Sequence, residues 1–159
     1  MKIAVLVISG SMGAGKTTVL GEASDFLAAR DIVHAAIDLD ALSIGHYTGD
    51  LATPNLAAVW RNYAAAGVTR LLLAEADVDR ERIRQAVSGA QIVVCRLRAS
   101  VDTMQERVRV REPGMRQEEF VARVAELERT IGGEDFSVDN DGRDITEVAR
   151  EVLLGAGWL

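Results

Sequence analysis

Two kinds of apolar pattern alternate along this chain. Short continuous blocks at Ile3–Ile8, Ile32–Asp38, Val68–Ala74, Gln91–Leu97 and Phe136–Val138 have strand length, and the longer ones are rich in β-branched residues. Between them, apolar positions recur at three- and four-residue steps. Val19, Leu20, Ala23, Phe26 and Leu27 predict a helix from Lys16, and Leu56, Ala57, Trp60 and Tyr63 predict a second that Gly67 stops. Thr53 is placed to cap that second helix, with Pro54 at its first position. Asp79 to Val87 reads as a short charged helix. Ser100 caps another that runs to about Arg111, Pro113-Gly114 break it, and a further helix follows from about Gln117 to Ile131. Asp144-Ile-Thr-Glu147 is a capping-box pattern that opens a last helix, with Val148, Val152 and Leu153 facing inward.

Strands alternating with helices predict an α/β fold: one mainly parallel five-stranded sheet with helices on both faces, in a single domain over residues 1–159. In such sheets ligands sit beyond the carboxyl ends of the strands. The loop after the first strand, Asp38 and Asp40, Glu75, and the loop after the fifth strand are therefore expected to converge on one cleft.

The first of these loops carries the clearest chemistry. Gly10-Ser11-Met12-Gly13-Ala14-Gly15-Lys16-Thr17 fits G-x-x-x-x-G-K-[ST], the spacing that wraps backbone N–H groups around phosphates, adds a lysine charge and offers a hydroxyl to Mg²⁺. A strand delivers it and a helix N-terminus follows, the context such a cradle needs. Thr18 continues the loop into the helix. A nucleoside triphosphate with Mg²⁺ is the expected ligand. Asp38 and Asp40 stand two residues apart, so a persisting strand points both carboxylates the same way, one toward a metal and the other toward a hydroxyl acceptor whose proton it can take. No aspartate ends the third strand, which closes Leu71-Leu-Leu-Ala-Glu75, and no N-K-x-D segment reads guanine. Switch GTPases and motor ATPases are thereby disfavoured.

Composition narrows the partners. With 48% hydrophobic and 26% charged residues the chain is ordinary globular material, expected to be soluble and cytoplasmic because no apolar stretch approaches membrane-spanning length. A net charge of -6 argues against a general nucleic-acid binder. The single cysteine, Cys95, sits within an apolar run and reads as a core residue, with no disulfide or zinc site implied. His34 and His46 lack metal-ligand partners. Trp60 and Tyr63 read as helix-to-sheet core, although Tyr63 can also wall an acceptor pocket. The expected partner is a small-molecule acceptor, with no membrane, and the chain a monomer or homodimer.

Gly10 to Thr18, Asp38-Leu-Asp40 and Asn55 to Ala74 are most similar to adenylylsulfate kinase. Over nearly its whole length the chain resembles the small P-loop metabolite kinases, a group that includes adenylylsulfate, shikimate and gluconate kinases and chloramphenicol phosphotransferase. The resemblance implies the three-layer fold of P-loop nucleoside triphosphate hydrolases and transfer of the ATP γ-phosphate to a hydroxyl. It assigns metal and acceptor roles to Asp38 and Asp40, lid roles to Arg107 and Arg111 in a segment of about residues 107–118, and an adenine border to Asn140, Asp141 and Gly142. Lys16, Asp40 and Arg111 are the expected catalytic residues, and Thr17 and Asp38 the metal ligands. Asp38, Asp40, Arg61 and Glu75 are the expected acceptor contacts, and Arg123 is a further candidate for an anionic one.

The sequence also departs from its relatives around the acceptor. Asp38-Leu-Asp-Ala-Leu42 replaces the D-G-D-N of the sulfate-activating enzymes, Glu75-Ala-Asp-Val-Asp79 replaces their proline-bearing loop, and the glycine-rich loop of shikimate kinases is missing. The acceptor stays open, with a nucleotide kinase or a non-catalytic or slowly hydrolysing ATP-binding regulatory module as the alternative readings.

Overall fold

Five strands, β1 (Ile3–Ser9), β2 (Ala35–Asp38), β3 (Arg70–Glu75), β4 (Ala90–Arg98) and β5 (Phe136–Asp139), form one sheet in the computed structural model, which describes residues 1–159. Their order is β2-β3-β1-β4-β5 and every pairing is parallel. The helices are α1 (Lys16–Ala28), α2 (Ala52–Ala65), α3 (Arg80–Ala86), α4 (Val101–Arg111), α5 (Gln117–Thr130) and α6 (Ile145–Gly155).

The period-2 pleat divides each central strand between two cores. Leu6 and Ile8 of β1, Leu72 and Ala74 of β3, and Cys95 and Leu97 of β4 join α1, α4, α5 and α6 in one apolar cluster. Val5 and Val7, Leu71 and Leu73, and Val94 join α2 and α3 in the other. Helices thus cover both faces, which is why β1 and β3 read as unbroken apolar runs. Cys95 is fully buried, and burial pushes its thiol up to about 12, as expected of an inert core residue. No helix is long and apolar enough to cross a membrane.

Register brings the chemistry to one edge. Ser9 pairs with Glu75 on one side and Arg96 on the other, and Asp38 pairs with Ala74. The carboxyl ends of β1, β2 and β3 therefore finish at one level, with the glycine loop leaving from their centre.

Caps fall where expected at two helices, at Ser100 and Asp144, and Asp79, read as the first residue of its helix, caps α3 instead. Asp79 accepts from the N–H groups of Glu81 and Arg82, Ser100 from Thr103, and Asp144 from Thr146 and Glu147. Some boundaries move, β3 beginning at Arg70 rather than Val68 among them. Ile32–His34 is not strand: Asp31 takes φ 53°, the Ile32 N–H closes α1 by donating to Leu27 O at 3.0 Å, and β2 begins only at Ala35. His34 bridges this turn, its ring nitrogens pairing with Ser24 Oγ at 2.7 Å and Ile32 O at 2.8 Å. Thr53 is not the cap of α2, because the helix starts at Ala52 and the Thr53 hydroxyl donates instead to Asp50 Oδ2 at 2.7 Å. Trp60 is core, whereas Tyr63 turns outward, 37% exposed, and lines no cleft.

Candidate active site

The glycine loop is shaped by close approach as well as by phosphate chemistry. A Cβ at Gly13 (φ 79°) would collide with the Met104 carbonyl of α4, and one at Gly15 (φ 95°) with the Asn140 amide. Asn140 is buried and donates through Nδ2 to Ala14 O at 2.7 Å. Arg107 donates to Gly13 O at 3.0 Å and to Asn140 O at 2.9 Å, locking the loop to the β5–α6 connection. Both residues expected to hold nucleotide thus grip the backbone of the cradle. Asp141 belongs to scaffolding too: it accepts from the Ser100 N–H at 3.0 Å and the Thr103 hydroxyl at 3.0 Å, bonds that hold its carboxyl below the usual range. Gly142 is exposed at the turn beyond it, with φ 65°.

Within the cradle, Lys16 Nζ donates to Ser11 O at 3.1 Å. Burial pushes this ammonium below the ordinary lysine range, Asp40 and Asp38 oppose the shift, and Arg111 adds to it. The balance marks a cation held among competing charges, the setting a phosphate would relieve. Thr17 Oγ1 donates to Asp38 Oδ2 at 3.0 Å. The pair puts a hydroxyl and a carboxylate together at the N-terminus of α1, hard oxygen donors that fit Mg²⁺. No three or more His, Cys, Asp or Glu cluster to form a metal cage.

Asp40 reaches the cleft by a route other than the one expected. β2 ends at Asp38 and a 3-10 turn, Asp40–Ser43, begins, so strand alternation does not set its direction. Instead Asp38 Oδ1 accepts from the Asp40 N–H at 3.1 Å and aims the turn, and Asp40 still lines the same cleft as Lys16. Crowding by the cleft walls raises the Asp40 pKa, with Lys16 opposing and Asp38 reinforcing. A raised pKa suits a group that must take up a proton.

The cleft measures about 590 Å³ and is walled by Lys16, Thr17, Asp38 and Asp40 on one side and by Arg111, Arg123 and Phe120 on the other. Arg111 ends α4 at the start of a five-residue link, 112–116, to α5. Arg109 points away and pairs with Glu106 at 3.8 Å. Glu75 is 7% exposed at the end of β3 and lines the cleft. Burial lifts its carboxyl to about 7, with Arg82 opposing. Arg61 is corrected: it lies on the exposed face of α2 and lines no part of the cleft. Arg123 is the guanidinium that does.

One element of the site escapes local reading. The fully buried Ser11 hydroxyl donates to Glu128 Oε1 at 2.7 Å, and Arg96 donates to Glu128 Oε2 at 2.7 Å and to Ile131 O at 3.1 Å. This chain ties the glycine loop to α5, the helix that carries Phe120, Arg123 and Leu127 into the cleft.

Neither a protein-family model nor a curated protein matches the sequence significantly. Solved structures do match the fold. A gluconokinase from Sinorhizobium meliloti 1021 is similar at 20% identity and TM-score 0.63, covering 98% of this chain and 91% of its own. A sugar kinase from Janibacter sp. HTCC2649 is similar at 17% identity and TM-score 0.64, covering 97% and 94%. A Mycobacterium tuberculosis APS kinase, solved in complex with AMPPNP and APS, is similar at 19% identity and TM-score 0.60, covering 96% of each chain. Their common architecture matches this one from end to end, and the chain has the fold of the small P-loop metabolite kinases.

Proposed function

We propose that this chain is an ATP-dependent kinase that moves the γ-phosphoryl group to a hydroxyl of a small-molecule acceptor. The observation that carries the reading is the Thr17–Asp38 hydrogen bond of 3.0 Å beside Lys16, with Asp40 opening onto the same cleft. A nucleotide cradle alone would suit a regulatory module. A second carboxylate beside the metal-type pair, facing 590 Å³ of space, is what phosphoryl transfer to an acceptor requires. The match to kinase structures, one of them holding AMPPNP and APS, supports the same reading.

When bound, Mg²⁺ would neutralise phosphate charge. Thr17 and Asp38 are the residues that would hold it. Lys16 gives up its bond to Ser11 O and places its ammonium against phosphate oxygens. Asp40 orients the acceptor hydroxyl and takes its proton. Arg111, from the edge of the lid, faces the charge that spreads over the equatorial oxygens during transfer. Arg107 and Asn140 keep the loop in shape, and Asn140 and Gly142 border the adenine.

The test is to incubate the chain with ATP and Mg²⁺ against a panel of sugars, sugar acids, amino alcohols and nucleosides and to follow ADP. The proposal expects ADP release that depends on one acceptor class and disappears in Lys16→Ala. Slow release indifferent to every acceptor would mark the regulatory module instead, and preference for a nucleoside monophosphate would mark a nucleotide kinase.

A further inference from the structure

The acceptor half of the cleft is electrically lopsided. Lys16, Thr17, Asp38 and Arg111, the last paired with Glu112 at 3.7 Å, belong to nucleotide and metal in the proposed reaction, and what remains is Asp40, Glu75 and Asp77 against one guanidinium, Arg123. Glu75 is more than nine-tenths buried, and its Oε2 has no hydrogen-bond partner. The neighbouring cation does not complete it: Arg82 donates through Nε to Thr53 Oγ1 at 3.1 Å and through Nη2 to Asp50 Oδ1 at 2.8 Å. A buried carboxyl without a partner is costly, and Glu75 stands between the cleft and a small enclosed space walled by Leu39, Thr53 and Arg82, so a ligand reaching it from the cleft side would complete its bonding. Phe120, Leu127, Ile44 and Met12 add apolar walls that suit a carbon skeleton.

We infer that the acceptor is a hydroxyl compound bearing a protonated amine, whose ammonium is received by Glu75 and Asp77 while its hydroxyl faces Asp40. The inference rests on the kinase reading above and names its substrate class. An anionic acceptor would meet three acidic side chains and one guanidinium, with no second cation free to receive it in a partly desolvated cleft. In the reaction, a bond forms between the acceptor oxygen and the γ-phosphorus, and the bridging oxygen leaves with ADP. The hydroxyl proton passes to Asp40. The ammonium keeps its protons throughout and serves only to hold the molecule in register.

The experiment compares matched acceptors: aminosugars and amino alcohols, their N-acetylated forms, and the corresponding sugar acids. ADP formation is measured with the parent chain, Glu75→Gln and Asp77→Asn, and calorimetric binding of the same compounds is measured with AMPPNP present. The free amine should exceed its N-acetyl form in kcat/KM and in affinity by at least about tenfold, the effect of one charge-assisted hydrogen bond. Glu75→Gln should erase that ratio without changing affinity for AMPPNP, and Asp77→Asn, on the exposed rim, should reduce it. ADP formation with sugar acids or neutral polyols in preference to amines would overturn the amine assignment and leave the kinase reading standing. An unchanged amine to N-acetyl ratio in Glu75→Gln would also overturn it. If no class of acceptor gives ADP, the kinase reading itself fails, and the amine assignment falls with it.

Discussion

The two halves of the cleft are built to different standards of completeness. On the nucleotide side, the side chains that brace the loop are paired, Asn140 with Ala14, Arg107 with Gly13 and Asn140, Ser11 with Glu128 and Thr17 with Asp38, and the one buried side-chain atom there without a partner, Arg96 Nε, lines no part of the cleft. On the acceptor side, Glu75 Oε2 is buried without one, and Asp77 and Arg123 face the cleft outside any salt bridge. A self-satisfied loop is preorganised, so its shape precedes its ligand. An unsatisfied wall takes its bonding from the molecule that binds there. The contrast fits a protein whose phosphate donor is held by a rigid cradle and whose acceptor is selected by unmet polar demand.

Removing the central cation of the rigid half is the largest expected perturbation. Lys16→Ala should lower transfer by about a thousandfold or more and weaken ATP binding, because in the proposed reaction this ammonium meets the β- and γ-phosphate charge. Retention of turnover would separate the cradle from the chemistry. Across the boundary, Asp40→Asn keeps size but loses the proton acceptor, and transfer should fall about a hundredfold or more with ATP still bound. Asp38→Asn should instead change the Mg²⁺ concentration needed for turnover. A metal defect in Asp40→Asn with none in Asp38→Asn would exchange the two roles.

These effects concern residues whose placement the sequence exposes unevenly. The strand, loop and helix from Ile3 to Ala28 are legible because strand pattern, glycine spacing and helix pattern all lie within one short stretch. Ser100 and Asp144 are legible as caps for the same reason: the bond each makes is two or three residues away. Asp38 and Asp40 share the cleft as their spacing suggests, yet the expected cause, a continuing strand, is replaced by a 3-10 turn. Arg61 shows the limit of helical reasoning, since which face of α2 meets the sheet depends on the start at Ala52 and on packing of Leu56 and Trp60. The Ser11–Glu128–Arg96 chain is beyond local reading altogether, because its bonds join residues 117 and 32 positions apart.

Smaller effects sharpen the comparison. Arg111→Ala should lower kcat by about tenfold to a hundredfold while changing ATP affinity less, if the guanidinium acts mainly on transition-state charge. Kinetics equal to the parent would return Arg111 to an exposed helix end paired with Glu112 at 3.7 Å.

The unsatisfied half makes a prediction about stability. Glu75 titrates near 4.5 when unfolded and at about 7 in the folded chain. The folded state therefore holds the proton more tightly, and stability present below pH 4.5 is lost as pH rises through about 7. Glu75→Gln removes that loss. It should stabilise the chain by about 2–3 kcal/mol at pH 8 and by little at pH 4, read from urea unfolding at both values. Equal effects at the two pH values would mean that the carboxyl is not buried unpaired.

The central claim, that both halves serve one transfer, is tested most directly by following the phosphoryl group itself. ATP carrying ¹⁸O in its terminal phosphoryl oxygens is turned over with the acceptor that the panel selects, and the products are weighed by mass spectrometry. The account predicts the label in a phosphomonoester of the acceptor, in one-to-one proportion with ADP and in no excess of inorganic phosphate. Label appearing as inorganic phosphate at a rate indifferent to the acceptor would contradict it.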